Sequence, residues 1–157
     1  GNLELKELYE ADVAEHTAFE EGDDLEALSQ HNRDRKDKVR QIIETGGLKS
    51  AGDYHHAALI FQHGETAEDY KQANELAKVG MEMGDERSKW LYAVTLDRFL
   101  ISTGEPQKFG TQFEQGEDGQ WRLIEPIDPT VTDEERAKYN CPPLAEAVNK
   151  YRKKYHI

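Results

Sequence analysis

Up to about residue 103, apolar residues recur at helical spacing and glycines punctuate them. The first predicted helix runs from Leu3 to about Phe19, with Leu5, Leu8, Tyr9, Val13 and Ala14 on its apolar face. Gly22-Asp23-Asp24 interrupts it, and acidic residues there suit the positive end of a second helix, Leu25 to Glu44, which stops at Gly46-Gly47. A third helix is predicted from about Asp53 to His63, ending at Gly64. Thr66 to Asp69 has the spacing of a capping start for a fourth, which continues to Met83 and terminates at Gly84. Asp85 is placed to cap a fifth, which reaches Thr103 before Gly104-Glu105-Pro106.

The period then changes. Lys108–Glu114 and Gln120–Ile127 alternate and carry aromatic residues on either side of Gly116-Glu117-Asp118-Gly119, which predicts a β-hairpin ended by Pro126 and Pro129. Thr132 to Glu135 has the form of a capping box for a short helix, and Pro142-Pro143 opens a last one that runs through Tyr155. The expected fold is mainly α: a single-domain bundle of about six or seven helices over residues 1–157, with one hairpin in its C-terminal half. His63 to Ala93 has the alanine spacing and Gly-Asp turn of one helical-hairpin repeat unit, but a solenoid needs about three.

Polar residues interrupt the apolar stripes. On a wheel of about 100° per residue, Trp90, Leu91, Val94 and Ile101 define a stripe on the fifth helix, with Arg98 at its centre and Asp97 at its edge. A guanidinium there needs a partner, because an unpaired buried charge is costly, and a carboxylate from another helix is expected. The second helix repeats the pattern: Leu25, Leu28, Val39, Ile42 and Ile43 form its stripe, and Asn32 and Arg35 fall in the middle. On the third helix His55, His56, Gln62 and His63 lie within roughly 60° of Leu59, and a solvated face is the expectation from periodicity alone.

Charge and composition narrow the function. A net charge of −12 repels phosphate backbones and anionic membranes, and the one basic cluster, Lys150 to Lys154, ends the chain. Neither nucleic-acid nor membrane partners are expected, and no apolar run reaches the roughly 18–20 residues of a membrane span. With Cys141 the sole cysteine, no intrachain disulfide can form, and the N-terminus lacks the order of a signal peptide; a reducing, cytoplasmic setting is expected. No cofactor is implied. Phosphate-loop, dinucleotide, GxSxG, HExxH and Cys-His patterns are all missing from the sequence. His56 and His63 share a face but stand about 10.5 Å apart along the axis, too far for one ion, so metal-free chemistry is expected.

Gln62-His63, Asp97-Arg98 and the run from Gly104 through Pro106-Gln107, Phe109-Gly110-Thr111 and Gln112 resemble a small family of uncharacterised helical proteins marked by QH, DR and GxPQx(F/Y)GTQ motifs. The likeness extends from about Arg35 to Leu144 and includes Pro126 to Pro129 and Pro143-Leu144. Gly46-Gly47-Leu48 departs from the Gly-Trp-Pro-like turn of that family. The resemblance implies that these residues form one recurring constellation, and it implies no reaction. It also moves the third helix toward a pocket-lining role. With Phe109, Thr111 and Phe113 facing inward, strand alternation points Gln112 outward, unless a bulge at Gly110 or a ligand between hairpin and helices turns it back.

Two functions fit these residues. One is a small enzyme using metal-free general acid–base chemistry on a small polar or carboxylate-bearing molecule, of hydrolase, lyase or isomerase type. His63 is then the proton carrier and His56 its assistant; Arg98 neutralises a carboxylate or developing anion, and Asp97 orients His63 or Arg98. Gln62, Gln107, Thr111 and Gln112, with Asn32 and Arg35, are the candidate substrate-binding residues. The other is a non-catalytic ligand-binding or protein-interaction module in which the same residues form a structural hydrogen-bond network. The enzyme reading expects Gln62, His63, Arg98, Gln107 and Thr111 around one pocket.

Overall fold

The computed structural model describes residues 1–155, with side chains through Tyr151. Five helices come first: α1 (Leu3–Ala18), α2 (Leu25–Glu44), α3 (Ala51–Gln62), α4 (Ala67–Glu82) and α5 (Arg87–Ser102). A two-stranded antiparallel sheet follows, β1 (Phe113–Gln115) with β2 (Trp121–Leu123), and then α6 (Asp133–Lys138) and α7 (Leu144–Tyr155). The fold is thus mainly helical with a hairpin in the C-terminal half. No described helix is long and apolar enough to cross a membrane.

Local chemistry explains the boundaries. Asn2, Asp24, Ser50, Thr66 and Thr132 each accept a backbone N–H of the first turn that follows them. Ser50 and Asp53 form a reciprocal capping box, and Asp53 also accepts the Asn2 N–H at 2.8 Å, tying the N-terminus to α3. Asp85 does not cap α5 as expected: the cap position is Glu86, without a side-chain bond, while Asp85 accepts the Ser88 hydroxyl at 2.6 Å.

The main core joins the first five helices through Leu5, Val39, Ile42, Ile60, Phe61, Leu76 and Leu91, with alanines 57, 58, 73 and 77 letting α3 and α4 approach closely. A smaller cluster of Ala93, Phe109 and Cys141 anchors the C-terminal segment on α5. Burial pushes the Cys141 thiol up to about 12, with the Asp97 charge adding to it, so the thiol stays protonated and unreactive.

Several faces differ from the periodic expectation. Val13 and Ala14 are exposed, and Asp12, at 0 % exposure, takes the inward place on α1. Leu25 and Trp90 are 64 % and 47 % exposed, so each stripe is shorter than its pattern. The strands are also shorter than predicted, because residues 107–112 wrap around Asp97 instead of extending from β1.

Buried Lys36 was not evident as a polar core residue. Its Nζ donates to Asp69 Oδ2 at 2.7 Å, and Arg40 Nη2 reaches Oδ1 at 3.2 Å. Burial alone would raise the Asp69 pKa, but the bonds from Lys36 and the Glu65 N–H outweigh it and hold the carboxyl below its usual value. A depressed folded-state pKa means that the contribution to stability is complete above the unfolded value, about 3.9. It is lost as pH falls through the lower folded value. Asp69→Asn is therefore expected to flatten the fall of stability below about pH 4, as read by urea unfolding across that range; an unchanged acid limb would count against this pairing.

Candidate functional site

Three helices bring six polar side chains together on one side of the bundle. On α1, positions 12, 15 and 16 place Asp12, Glu15 and His16 toward α2; Asn32 and Arg35, one turn apart, answer from α2. His63, the C-cap residue of α3, completes the group. Asp12 accepts Arg35 Nε at 3.0 Å on Oδ1 and His63 Nδ1 at 2.6 Å on Oδ2. Arg35 Nη2 also donates to Glu15 at 2.7 Å and to Asn32 Oδ1 at 2.8 Å. His16 and His63 stack face to face, with ring centroids 3.6 Å apart and planes inclined by 16°.

The partners determine the tautomers. An ionised carboxylate only accepts, so His63 carries a hydrogen on Nδ1, and in the neutral ring the lone pair is on Nε2. Arginine only donates, so the Asn32 atom that faces Arg35 is the oxygen. His16 Nε2, 2.9 Å from the same oxygen, must then be a donor, and in the neutral ring Nδ1 is the acceptor. The side chains are 18 % and 26 % exposed, respectively, so both rings meet solvent beside a fully buried carboxylate.

Asp12, His16 and His63 each offer one ligand atom within 4.8 Å of the others, a trio that could be read as a metal centre. The ring geometry opposes that. An imidazole binds a metal ion in its own plane at about 2.0–2.1 Å, and two nearly parallel planes with centroids 3.6 Å apart share no such point. Asp12 is moreover already paired with Arg35. As arranged, the trio suits proton transfer better than chelation.

The second constellation lies at α5 and the loop after it. Asp97, 0 % exposed, accepts the backbone N–H of Lys108 at 2.7 Å and Phe109 at 3.0 Å on Oδ1. On Oδ2 it accepts the Thr111 N–H at 3.1 Å and the Thr111 hydroxyl at 2.7 Å. Gly110 permits the wrap with φ of +72°, and a Cβ there would stand 2.6 Å from Leu144 Cδ1. Gln107 is spent on both sides of the loop. Its Nε2 donates to the carbonyls of Gln112 (3.0 Å) and Ile124 (2.6 Å), and its Oε1 accepts the Gln112 N–H at 3.2 Å. Gln107 also bridges Ile127 through the backbone.

Gln112 does turn inward, by way of this loop rather than a strand, and accepts Arg98 Nε on Oε1 at 3.2 Å. Among the described residues no carboxylate pairs with Arg98, contrary to expectation. Its second bond runs from Nη1 to the Gln62 carbonyl at 3.0 Å, where it satisfies the negative end of α3. The cavity that Arg98 lines contains neither His63 nor Gln62, Gln107 or Thr111, so these five do not share it.

The histidine face of α3 is not solvated either, because α1 packs across it. His56 stacks on Tyr9 (centroids 4.2 Å), and His55 is 6 % exposed. Burial, with Arg87 nearby, lowers His55 to about 4, so it is neutral near pH 7. Tyr9 precedes His16 by about two turns of α1, which separates His56 from His63 along the same face. Asp12, Glu15 and His16 were missed by sequence reasoning. One local signal was available, the i, i+4 spacing of Asp12 and His16, whereas the pairing of Asp12 with His63 spans 51 residues.

Compared with protein-family models, with curated proteins and with solved structures, the chain matches none.

Proposed function

We propose that the protein is a small enzyme that moves protons on a small polar molecule, in a hydrolysis, elimination or isomerisation without a metal ion. His63 is the proton carrier. The observation that supports this is the 2.6 Å bond from His63 Nδ1 to buried Asp12, which fixes the ring and leaves Nε2 to take a proton. The imidazolium formed would lie against the carboxylate that stabilises it, as in other carboxylate–histidine pairs. His16, stacked on His63 with Nδ1 as its acceptor, is the second proton carrier in place of His56. Among the described residues no Ser, Cys or Thr side chain hydrogen-bonds to the pair, which favours attack by water or direct proton abstraction over a covalent intermediate.

A second reading, a ligand-binding or interaction module with a structural network, is favoured by the Asp97–Gln107–Thr111 half of the constellation. Those groups are occupied in holding a loop.

The test is a thermal-shift screen of small polar metabolites followed by turnover assays of the hits. His63→Gln retains a donor for Asp12 and is expected to keep the fold, while turnover drops by about 10²–10⁴-fold. Dialysis against a chelator is expected to leave turnover unchanged. Turnover that survives His63→Gln would overturn the assignment, and loss on chelation restored by one divalent ion would return the chemistry to a metal.

A further inference from the structure

Among the described residues, Arg98 is a cation with no anion. Its two hydrogen bonds go to neutral oxygens and use Nε and Nη1, leaving Nη2 outside both. No ion pair joins it to a described carboxylate, although the chain carries 32 Asp and Glu against 20 Lys and Arg. The C-terminus of α3 supplies roughly half a compensating charge, and desolvation still weighs against the charged form. Arg98 opens on a cavity of about 280 Å³ between α4, α5 and the hairpin, lined also by Tyr70, Ile101, Ser102, Gln112 and Ile124. The Tyr70 hydroxyl makes no hydrogen bond to a described residue. A half-neutralised guanidinium, a free phenol and two isoleucines thus surround one small space.

We propose that this cavity binds a small organic acid, its carboxylate on Arg98 Nη2 and the Tyr70 hydroxyl and its short apolar body between Ile101 and Ile124. A guanidinium at a partly desolvated site prefers a carboxylate to water, because charge-assisted bonds strengthen as solvent is excluded. Inorganic phosphate shares the charge but offers nothing to the isoleucines. The site is independent of the His63 reading: none of its residues hydrogen-bonds with Asp12, His16 or His63, so either can fail without the other.

The experiment is an NMR titration of the full chain with acetate, butyrate and inorganic phosphate, following the Arg98 Nε–H resonance and the amides around Gln112. Butyrate is expected to bind about tenfold more tightly than acetate, from two additional buried methylenes, with phosphate no better than acetate. Arg98→Gln is expected to weaken butyrate by about tenfold or more. Because that variant also removes a bond to α3, Ile124→Trp serves as a second, filling the cavity while leaving Arg98 in place; it too should abolish the response. Phosphate binding more tightly than butyrate, no response to either acid, or a response unchanged in Ile124→Trp would overturn the proposal.

Discussion

Asp12→Ala is expected to cost about 3–5 kcal/mol of stability. The carboxylate is fully buried and is the common partner of Arg35 from α2 and His63 from α3, so its removal leaves two buried or half-buried donors without their carboxylate, while Glu15 and His16 still bond α1 to α2. Arg35 would retain Glu15 and Asn32, which places the loss toward the lower end of the range. Urea unfolding measures it, and a loss under about 1 kcal/mol would show that the cluster is as weak as a surface pair. Asp12→Asn separates structure from chemistry. The amide keeps the volume and can accept one bond, but its NH₂ group cannot hold a donor on His63 Nδ1. If His63 is the base, this variant should remain folded while turnover falls by as much as about 10⁴-fold, the scale of a wrong tautomer. A folded and fully active Asp12→Asn would remove Asp12 from the mechanism.

How much of this was legible in the sequence depended on whether the cause was local. The helices were, because residues that act on the adjacent turn mark their ends: Asp24 before α2, Thr66 before α4, and Gly46, Gly64, Gly84 and Gly104 just past the last turns of α2 to α5; the Ser50 cap of α3 was not read, and the predicted start fell at Asp53 instead of Ala51. Arg35 and Asn32 in the middle of the α2 stripe pointed to a half-buried polar contact with α1, since a helix carries its own ruler. On α1 the same ruler misled. The apolar residues Val13 and Ala14 drew the face toward themselves, while the helix buries Leu5 and Asp12, a pair seven residues apart whose second member is charged. Only a guanidinium arriving from α2 and an imidazole from α3 make that burial affordable, and neither partner is visible from α1.

The hairpin is where the pattern predicts it, but its strands are shorter than the pattern, for a related reason. Lys108 to Glu114 alternates like a strand, yet three of its backbone N–H groups are claimed by one carboxylate on α5 before any strand partner reaches them. The same event decided the site. Asp97, Gln107 and Thr111 were grouped with His63 because all are polar residues in motifs, but their hydrogen-bonding capacity is consumed within the loop. His63 spends only Nδ1 among the described residues. Residual capacity, rather than residue type, separates the part of the constellation that can act on a ligand from the part that holds the chain.

Asp97→Ala is accordingly expected to be the other large loss, and of a different kind. Its two oxygens satisfy the N–H groups of Lys108, Phe109 and Thr111 together with the Thr111 hydroxyl. Leaving a buried donor unmade costs about 1–3 kcal/mol, so a loss of several kcal/mol follows even if part of the loop finds water. The damage should concentrate in residues 107–127. Once the loop loosens, Gln107 releases its bonds to Gln112 and Ile124, and Phe109 leaves the small cluster with Ala93 and Cys141. Asp97→Asn should fall between alanine and wild type, because its oxygen can still accept while its NH₂ group confronts donors. Thr111→Val tests the hydroxyl alone and should cost about 1 kcal/mol. Hydrogen exchange at the three amides reads the effect directly: they should exchange much faster in Asp97→Ala while the α3 and α4 amides stay protected. If α1 to α4 lost protection equally, the loop would not be a separate unit built on Asp97, and the carboxylate would have to be assigned to the stability of the whole bundle.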